Sequence, residues 1–314
     1  MSIRLRMTLV TLLIALLLDR ARPLPAPSAP LAWFRRYADR LAHDLNAGKP
    51  VHGTVGWLAA VCPLVLLALV AFSILYYLNP VLGWLWSLAV LYLCLGFRSL
   101  TQVLKDIYAA LHAGDLDRAR ELLARWRGES ASEYRETEIA KAAVETALAR
   151  AQREVFGVVF WFVVLPGPSG PVLYRLAAEL ESRWGQRREA AFGPFGRFAR
   201  RAFLVLDWAP ARLAAIGFAI AGNFEDAISS WRSQAPAWPE PELGIVLASG
   251  AGAMNVQLGG ALPREGGVDL RPDLGEGDPA DAEHLQSTIY LLWRSLVVWF
   301  AVLALITLAR WVGG

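Results

Sequence analysis

The sequence contains few of the residues that build disulfides, metal centres or phosphate loops. It has 2 cysteines and 4 histidines among 314 residues. Cys62 and Cys94 both lie in apolar runs, which indicates small buried hydrophobic side chains rather than a disulfide or a metal pair. The histidines are scattered without ligand spacing, and no glycine-rich phosphate loop ending in Gly-Lys-Ser or Gly-Lys-Thr is present. These shortages argue against a disulfide-stapled domain, a zinc site and a phosphate-loop nucleotide site.

Charged residues are scarce as well. They make up 19% of the chain, whereas a soluble globular domain carries about 25%. The net charge of +3 would suit nucleic acid, but the basic residues concentrate in segments 19–50 and 183–201, while 264–283 is acidic. Basic loops beside apolar spans stay cytoplasmic, so these clusters indicate topology. We expect a multi-pass protein of the bacterial inner (plasma) membrane and no nucleic-acid partner.

Hydrophobic residues, at 55% of the chain, form runs long enough to cross a bilayer. Segment 55–78 has no charge and exceeds the roughly 20 residues that span about 30 Å of hydrocarbon. Segment 81–97 follows after Asn79-Pro80, so the two predict a tight membrane hairpin. A last span is predicted at 288–312, where Tyr and Trp residues suit interfacial anchoring. The shorter run 7–18 predicts an uncleaved, short or oblique membrane helix.

The polar segment 98–154 interrupts these apolar regions and predicts a soluble helical hairpin on the cytoplasmic face. Apolar residues recur there at helical spacing, and Gly114-Asp115 breaks and restarts the helix. We therefore expect three regions: an N-terminal membrane region (1–97), the cytoplasmic insertion (98–154) and a C-terminal membrane region (155–314). The predicted fold class is all-α, a polytopic membrane protein with broken or re-entrant helices and this cytoplasmic helical hairpin.

The C-terminal region contains two stretches unsuited to a straight span. The hexad Pro166-Gly167-Pro168-Ser169-Gly170-Pro171 cannot continue a helix, and the apolar residues before it are too few to cross a bilayer. Irregular backbone at membrane depth persists only where protein or water covers it, so we expect a re-entrant hairpin here. The second stretch is 244–262, whose small residues permit close helix packing.

The apolar run 202–222 carries charged residues near its middle. A charge at the centre of a membrane helix costs roughly 2.5–3.5 kcal/mol, so Asp207 and Arg212 indicate pairing or function. We expect Pro210 to disrupt the helix between them. A structural ion pair and a contact to a ligand or phosphate both stay open for these two residues.

Several short blocks, taken in order, resemble the CobD/CbiB family of membrane proteins. Their order and spacing cover the chain from about residue 7 to 310. The blocks are Phe97-Arg98-Ser99-Leu100, Gly114-Asp115-Leu116 with Ala119-Arg120, Val144-Glu145-Thr146, Pro210-Ala211-Arg212-Leu213, Trp238-Pro239-Glu240, and Gly250-Ala251-Gly252-Ala253 followed by Gln257-Leu258-Gly259-Gly260.

The resemblance implies a chemistry. The best-known members resemble adenosylcobinamide-phosphate synthases, which form an amide between a corrinoid side-chain carboxylate and aminopropanol or its phosphate, in a step associated with ATP and Mg²⁺. The chain departs from the family at its polar elements. The family's AENTxDG element is replaced at 147–154 by a stretch with Arg150 and Arg153. Its NTLDS element corresponds to 178–182, which retains a carboxylate but loses the Asn-Thr pair, and its GDP and HP elements are missing from 20–30.

Arginine in place of a magnesium-binding carboxylate should expel a cation, so these departures favour the family's non-synthase, AmpE-like branch. The sequence DWxPxRL at 207–213 also resembles that branch. The main hypothesis is thus a divergent inner-membrane protein that acts through partner or ligand binding without synthase activity. The alternative is the adenosylcobinamide-phosphate synthase of cobalamin biosynthesis. A lower alternative is a small-molecule carrier, for which no inverted repeat is visible.

The candidate ligand-binding residues are Asp19, Glu145, Glu181, Asp207 and Arg212. Catalytic residues stay unassigned, and no metal site is predicted. For Glu145, a solvated helix face or a capping role is favoured over catalysis. No cofactor is predicted; ATP and Mg²⁺ enter only with the synthase alternative. The expected partner is the lipid bilayer, and a corrinoid or another small ligand, a membrane-protein partner and a second copy of the chain are left open.

Overall fold

The computed structural model describes residues 2–21, 28–46, 48–186, 193–264 and 267–312. Parts of two sequence predictions, the missing GDP and HP elements at 20–30 and the basic cluster at 183–201, fall outside the described residues, at 22–27 and 187–192. The structure is 81% helical. The predicted all-α class of a polytopic membrane protein is confirmed.

The helices follow one another along most of the described chain. In order they are α1 (Ser2–Ala21), α2 (Ala29–Leu45), α3 (Pro50–Leu78), α4 (Pro80–Cys94), α5 (Phe97–His112), α6 (Leu116–Arg127), α7 (Glu136–Ala151), α8 (Gly157–Val164), α9 (Ser169–Leu180), α10 (Gly193–Ala221), α11 (Phe224–Ser233), α12 (Pro241–Met254) and α13 (Ala282–Val312). A first π-helical turn, Gln152–Phe156, joins α7 to α8, and a second, Glu181–Gly185, extends α9. A 3₁₀ turn, Ala235–Ala237, precedes α12.

Short strands lie between α12 and α13, and the sequence did not predict them. They are β1 (Val256–Gly259), β2 (Leu262–Arg264), β3 (Gly267–Asp269), β4 (Asp273–Leu274) and β5 (Asp278–Pro279). The first strand pairs antiparallel with β4 and parallel with β5, and β2 pairs antiparallel with β3. Strands of two to four residues are too short to show the alternation by which strands are recognised.

Four helical segments are long and apolar enough to cross a membrane by length and composition. They are Pro50–Leu78, Pro80–His112, Gly193–Ala221 and Ala282–Arg310. The first two contain the predicted hairpin, and the last covers residues 288–310 of the final span predicted at 288–312. The helix α3 exposes large apolar side chains, with Leu67 64% exposed, as expected for a helix surrounded by lipid.

The described chain forms two compact units. The first unit comprises Met1–Phe97, Arg153–Trp208 and Thr307–Gly314, and the second comprises Arg98–Gln152 and Ala209–Ile306. The boundaries after residues 97 and 152 lie close to those predicted at 97 and 154. The predicted C-terminal region 155–314, however, contributes to both units.

In the first unit, α3 packs against α2, α4 and α9, while α1 packs against α4 and α8. The helix break predicted at the proline-rich hexad is confirmed, because α8 ends at Val164 and α9 begins at Ser169. The α8–α9 hairpin is formed by two short helices, α8 with 8 residues and α9 with 12. At 1.5 Å per residue neither alone reaches across a bilayer, and α8 continues α7 through the first π-helical turn. The tip of the hairpin, residues 165–168, is held by a hydrogen bond from the Ser169 hydroxyl to the Pro166 carbonyl (2.7 Å).

In the second unit, α7 packs against α6 and α12, and α11 packs against α12. The predicted close packing of small residues is confirmed: α12 is buried along nearly all its length. The predicted helix restart after Gly114 is confirmed too, since the Asp115 side chain caps α6 by accepting from the Arg118 amide (3.0 Å).

Prolines lie inside two of the long helices, and each leaves one carbonyl without its helical donor. In α3, Pro63 frees the Ala59 carbonyl, which accepts from the Tyr37 hydroxyl (3.2 Å). In α10, Pro210 frees the Leu206 carbonyl, which accepts from the Trp161 indole (3.1 Å). The prediction that Pro210 disrupts its helix is therefore wrong, because a neighbouring side chain supplies the missing donor.

The Trp161 indole thus takes the place of a backbone amide donor, and this role can be tested. Replacing Trp161 by Phe should cost about 1–3 kcal/mol through the unpaired Leu206 carbonyl, in addition to the lost ring volume. The same replacement in a Pro210→Ala background should cost less, since the alanine introduced there has a backbone amide that can bond to that carbonyl. Thermal unfolding of the four proteins in detergent measures the difference, and equal costs in both backgrounds would contradict the explanation.

Candidate functional site

Two π-helical turns of the first unit face each other through an ion pair. Such turns are rare in proteins and occur frequently at functional sites. Arg153 belongs to the first turn and Glu181 to the second. Arg153 Nη2 lies 3.0 Å from Glu181 Oε2, and the Glu181 side chain is only 6% exposed. This pair marks the centre of the candidate site.

Three further arginine–carboxylate pairs lie in the same unit. One residue of every pair belongs to α9 or to the second π-helical turn, so a single helical segment collects them all. We call the four pairs the arginine–carboxylate network: Arg153–Glu181, Arg175–Glu154 (3.1 Å), Arg35–Glu179 (2.6 Å) and Arg183–Asp39.

The network is balanced in charge, because each of its guanidinium groups faces a carboxylate. Partly buried ions are expensive unless they are paired and hydrogen-bonded. Arg35 and Arg183 both make two contacts to one carboxylate, through Nε and Nη2. This fork geometry also suits the carboxylates and phosphates of a ligand.

Aromatic side chains connect the network to a second candidate residue, Asp207. The Arg153 guanidinium lies over the Phe203 ring at 5.0 Å, and Phe203 contacts Tyr174 at a ring distance of 5.6 Å. The Tyr174 hydroxyl donates a 2.6 Å hydrogen bond to Asp207 Oδ1. Glu181 and Asp207, both singled out from the sequence, therefore belong to one continuous set of contacts.

Two glycines allow this close packing. A Cβ on Gly157, at the start of α8, would overlap the Tyr174 ring. A Cβ on Gly96 would lie 2.6 Å from Glu154 Oε2, closer than side chains tolerate. A larger residue at either position would displace a side chain of the site.

The second unit has its own buried ion pair. Glu145 of α7 is 7% exposed and makes two bonds to Arg271, at 2.6 and 3.1 Å. Its Oε1 atom also accepts from the Gly259 amide (2.7 Å), and the Arg271 guanidinium lies over the Trp238 ring at 5.5 Å. The prediction of a solvated face for Glu145 is wrong, because α7 packs against β1 and Arg271 compensates the buried charge.

The five candidate residues divide between the units. Asp19, Glu181 and Asp207 belong to the first unit, and Glu145 and Arg212 belong to the second. Asp19 is buried near the end of α1. Arg212 lies 3.6 Å from Glu242, so the structure provides Glu242 as a partner for Arg212 and Tyr174 as a partner for Asp207.

The two arginines in the stretch that replaces the family's AENTxDG element do not form the cation-expelling positive charge that the sequence suggested. Arg150 donates to the Trp126 carbonyl (2.5 Å) and lies over the Trp126 ring at 5.5 Å. Arg153 is balanced by Glu181. The charge-reversal argument for an AmpE-like role therefore loses its physical basis.

The carboxylates of the described residues are not arranged as a metal-binding cluster. Within the part of the chain that the structure describes, no group of three or more His, Cys, Asp and Glu side chains could hold a metal ion. The carboxylates of the network already face guanidinium groups, which take the place that a cation would occupy.

Sequence reasoning missed most of the network. Arg175, Glu179 and Arg183 recur at intervals of four, which places them on one helix face. These alternating charges along one face of a largely buried helix are the sequence pattern that could have revealed the network. Arg271, by contrast, lies between short strands, where no periodic pattern pointed to it.

Comparison with known proteins agrees with the sequence resemblance. A family profile described as CobD/Cbib protein matches residues 12–292. The chain belongs to the CobD/CbiB family.

Three relatives of this CobD/CbiB-family chain are named for cobalamin biosynthesis. A protein of Stutzerimonas stutzeri (strain A1501) named Cobalamin biosynthesis protein CobD is 41% identical, over 92% of this chain and 94% of its own. A protein of the same name from Chromobacterium violaceum is 36% identical over 92% and 93%. Cobalamin biosynthesis protein CbiB of Salmonella arizonae is 26% identical over 91% and 92%. No solved structure matches the chain.

Three blocks that resemble the family meet at the ion pair of the second unit. Glu145 comes from the Val144-Glu145-Thr146 block, Gly259 from Gln257-Leu258-Gly259-Gly260, and Trp238 from Trp238-Pro239-Glu240. These family residues thus share a structural role in joining α7 to the strand segment.

Removing Arg271 should destabilise this unit. Arg271→Met leaves the Glu145 carboxylate buried without its guanidinium, and breaking a buried pair costs about 3–5 kcal/mol. Arg118→Met provides a control, because Arg118 pairs with Glu121 on the exposed face of α6 and such pairs contribute about 0–1 kcal/mol. Thermal unfolding in detergent should show a clear loss only for Arg271→Met, with partial recovery in Arg271→Met/Glu145→Gln. Equal losses in the two single variants would contradict this role.

Proposed function

We propose that this protein is an amide-forming enzyme of cobalamin biosynthesis, which joins a corrinoid side-chain carboxylate to aminopropanol or its phosphate. The relatives named Cobalamin biosynthesis protein CobD, at 41% and 36% identity over most of the chain, support this role over the AmpE-like one. The structural observation that carries the proposal is the Arg153–Glu181 pair between the two π-helical turns.

The network offers the groups that such a reaction needs. Guanidinium forks bind carboxylate and phosphate oxygens through paired hydrogen bonds. Both proposed substrates present anions of this kind, the corrinoid carboxylate and the phosphate of the amine substrate. We infer that a substrate anion binds Arg153 by displacing Glu181, so that Arg153 keeps an anionic partner and the Glu181 carboxylate turns to the ammonium group of the amine substrate.

The displaced carboxylate of Glu181 can then act as the base of the reaction. An amine attacks only after its ammonium form has lost a proton, and a carboxylate within hydrogen-bond reach can accept that proton. Glu181 is the proposed base, and Arg153 and Arg175 are the proposed anion-binding groups. The same exchange can operate at Arg175 and Glu154, which form the adjacent pair.

Formation of an amide from a free carboxylate also needs an activating co-substrate. ATP with Mg²⁺ is proposed for this purpose on the basis of the family resemblance: the corrinoid carboxylate would be phosphorylated with release of ADP, and the amine would then displace phosphate. Magnesium in such reactions is bound by substrate phosphates and water with one or two carboxylates, so it needs no three-carboxylate cluster in the protein. We further propose the bacterial inner membrane as the location, with the basic segments on the cytoplasmic side.

Genetic complementation tests the proposal. A bacterial strain that lacks its own amide synthase, supplied with cobyric acid, should regain growth when it expresses this protein. Arg153→Met and Glu181→Gln should fail to restore growth. Glu121→Gln is the control and should restore growth. Glu121 is also a carboxylate between arginines, but it lies on the exposed face of α6, outside the network. There, hydrogen bonds from Arg118 and Arg125 lower its pKa. Added cobinamide should support growth in every case.

Two results would overturn parts of the proposal. Absence of growth with the unmodified protein, despite its presence in the membrane, would favour the AmpE-like binding role. Full growth with both site variants would retain the reaction but exclude the network as its site.

In membranes, Arg153→Met should raise KM for the phosphorylated amine by about 10- to 100-fold, since a hydrogen bond to a charged group contributes about 1.5–3 kcal/mol. Glu181→Gln should instead lower kcat by on the order of 10²–10⁴.

A further inference from the structure

A cavity of about 500 Å³ lies in the first unit, beside the tip of the α8–α9 hairpin. Its walls come from α1, α3, α4 and residues 165–167 of the tip. The arginine–carboxylate network uses none of the residues that line it. The volume is within the range of about 300–1,000 Å³ that is typical of small-molecule sites.

The Trp84 indole and the Thr11 and Ser87 hydroxyls, which line the cavity, are bonded within the protein. The Trp84 indole donates to the Thr11 hydroxyl (2.8 Å), which donates to the Met7 carbonyl (2.5 Å). The Ser87 hydroxyl donates to the Gly83 carbonyl (3.0 Å). Among the described residues, none that lines the cavity carries a charge. A charged or strongly polar ligand would therefore lose its hydration without compensation, whereas a hydrocarbon chain would lose nothing.

The cavity reaches the outer surface of the unit near the α3–α4 turn. Tyr76 contributes to its wall and is 51% exposed, and Pro80 at the start of α4 is exposed as well. Both helices belong to segments apolar enough to cross the membrane. The chains of lipids that surround these two helices therefore lie next to this opening.

The tip of the hairpin gives the cavity a wall of irregular backbone that needs an apolar neighbour. Irregular backbone within the hydrocarbon region persists only where something covers it. Pro166 and Pro168 have no amide hydrogen, which reduces the number of donors that an apolar neighbour would leave unpaired. Phe72 lies directly against Gly167, whose φ of +58° belongs to the left-handed region. The tip is therefore suited to contact with an apolar chain.

We propose that this cavity binds an acyl chain of a membrane lipid, which covers the tip of the re-entrant hairpin. The site is separate from the arginine–carboxylate network. The proposal does not depend on the reaction that the protein catalyses.

Photo-crosslinking in lipid nanodiscs tests this binding. The full chain would be reconstituted with a phospholipid that carries a diazirine in one acyl chain, irradiated and mapped by mass spectrometry. Label is expected on the cavity-lining segments 7–11, 84–87 and 162–167, in addition to the exposed face of α3. Ser87→Phe fills the cavity and should reduce label on the cavity segments several-fold, while label on the α3 face stays unchanged.

Ser73→Phe is the matched control. Ser73 donates to the carbonyl four residues earlier (2.9 Å to Leu69), as Ser87 does, but it lies on the more exposed helix α3 and outside the cavity wall. This variant should keep the label on the cavity segments. Thr8→Phe fills the same cavity from α1 and replaces Ser87→Phe if the latter does not fold. Unchanged label in the filled variants, or label confined to outward-facing residues such as Leu67, would overturn the proposal.

Discussion

The structure depends on one constraint: the carbonyls freed by prolines and the full charges among apolar helices find their partners inside the protein. The two helix-interior prolines illustrate this at the level of single carbonyls, where Tyr37 and Trp161 donate to the oxygens that the prolines leave free. The ion pairs illustrate it at the level of full charges. Because water is not available to solvate an unpaired group in hydrocarbon, each such group fixes the position of a neighbouring helix.

The constraint also explains the composition of the candidate site. The arginine–carboxylate network places several full charges beside apolar helices, and this is tolerable only because the charges are paired. The pairs are therefore a structural joint between α2, α9 and the two π-helical turns, and they are the anion-binding groups of the proposed function. In the proposed exchange the arginine keeps an anionic partner, and the displaced carboxylate gains the substrate ammonium. The Glu145–Arg271 pair of the second unit lies between family-like blocks and is assigned a structural role instead.

The sequence predicted those features that depend on local chemistry. Long apolar runs predicted the spans, the proline-rich hexad predicted the break before Ser169, and Gly114-Asp115 predicted the start of α6. It could not predict the partners of buried charges, because these are distant in the chain: Arg35 and Glu179 are 144 positions apart. For the same reason Arg153 suggested a positive charge that would expel a cation, whereas Glu181 balances it. Pro210 suggested a broken helix, because the donor from Trp161 is invisible in the local sequence.

The central claim is that substrate anions replace carboxylates on the arginines of the network. A structure determined in lipid nanodiscs with cobyric acid and aminopropanol phosphate bound would test it most directly. The account predicts a substrate carboxylate or phosphate within hydrogen-bond distance of Arg153 or Arg175, with Glu181 or Glu154 turned away from its arginine. Bound substrate elsewhere in the protein, with both ion pairs intact, would contradict the account.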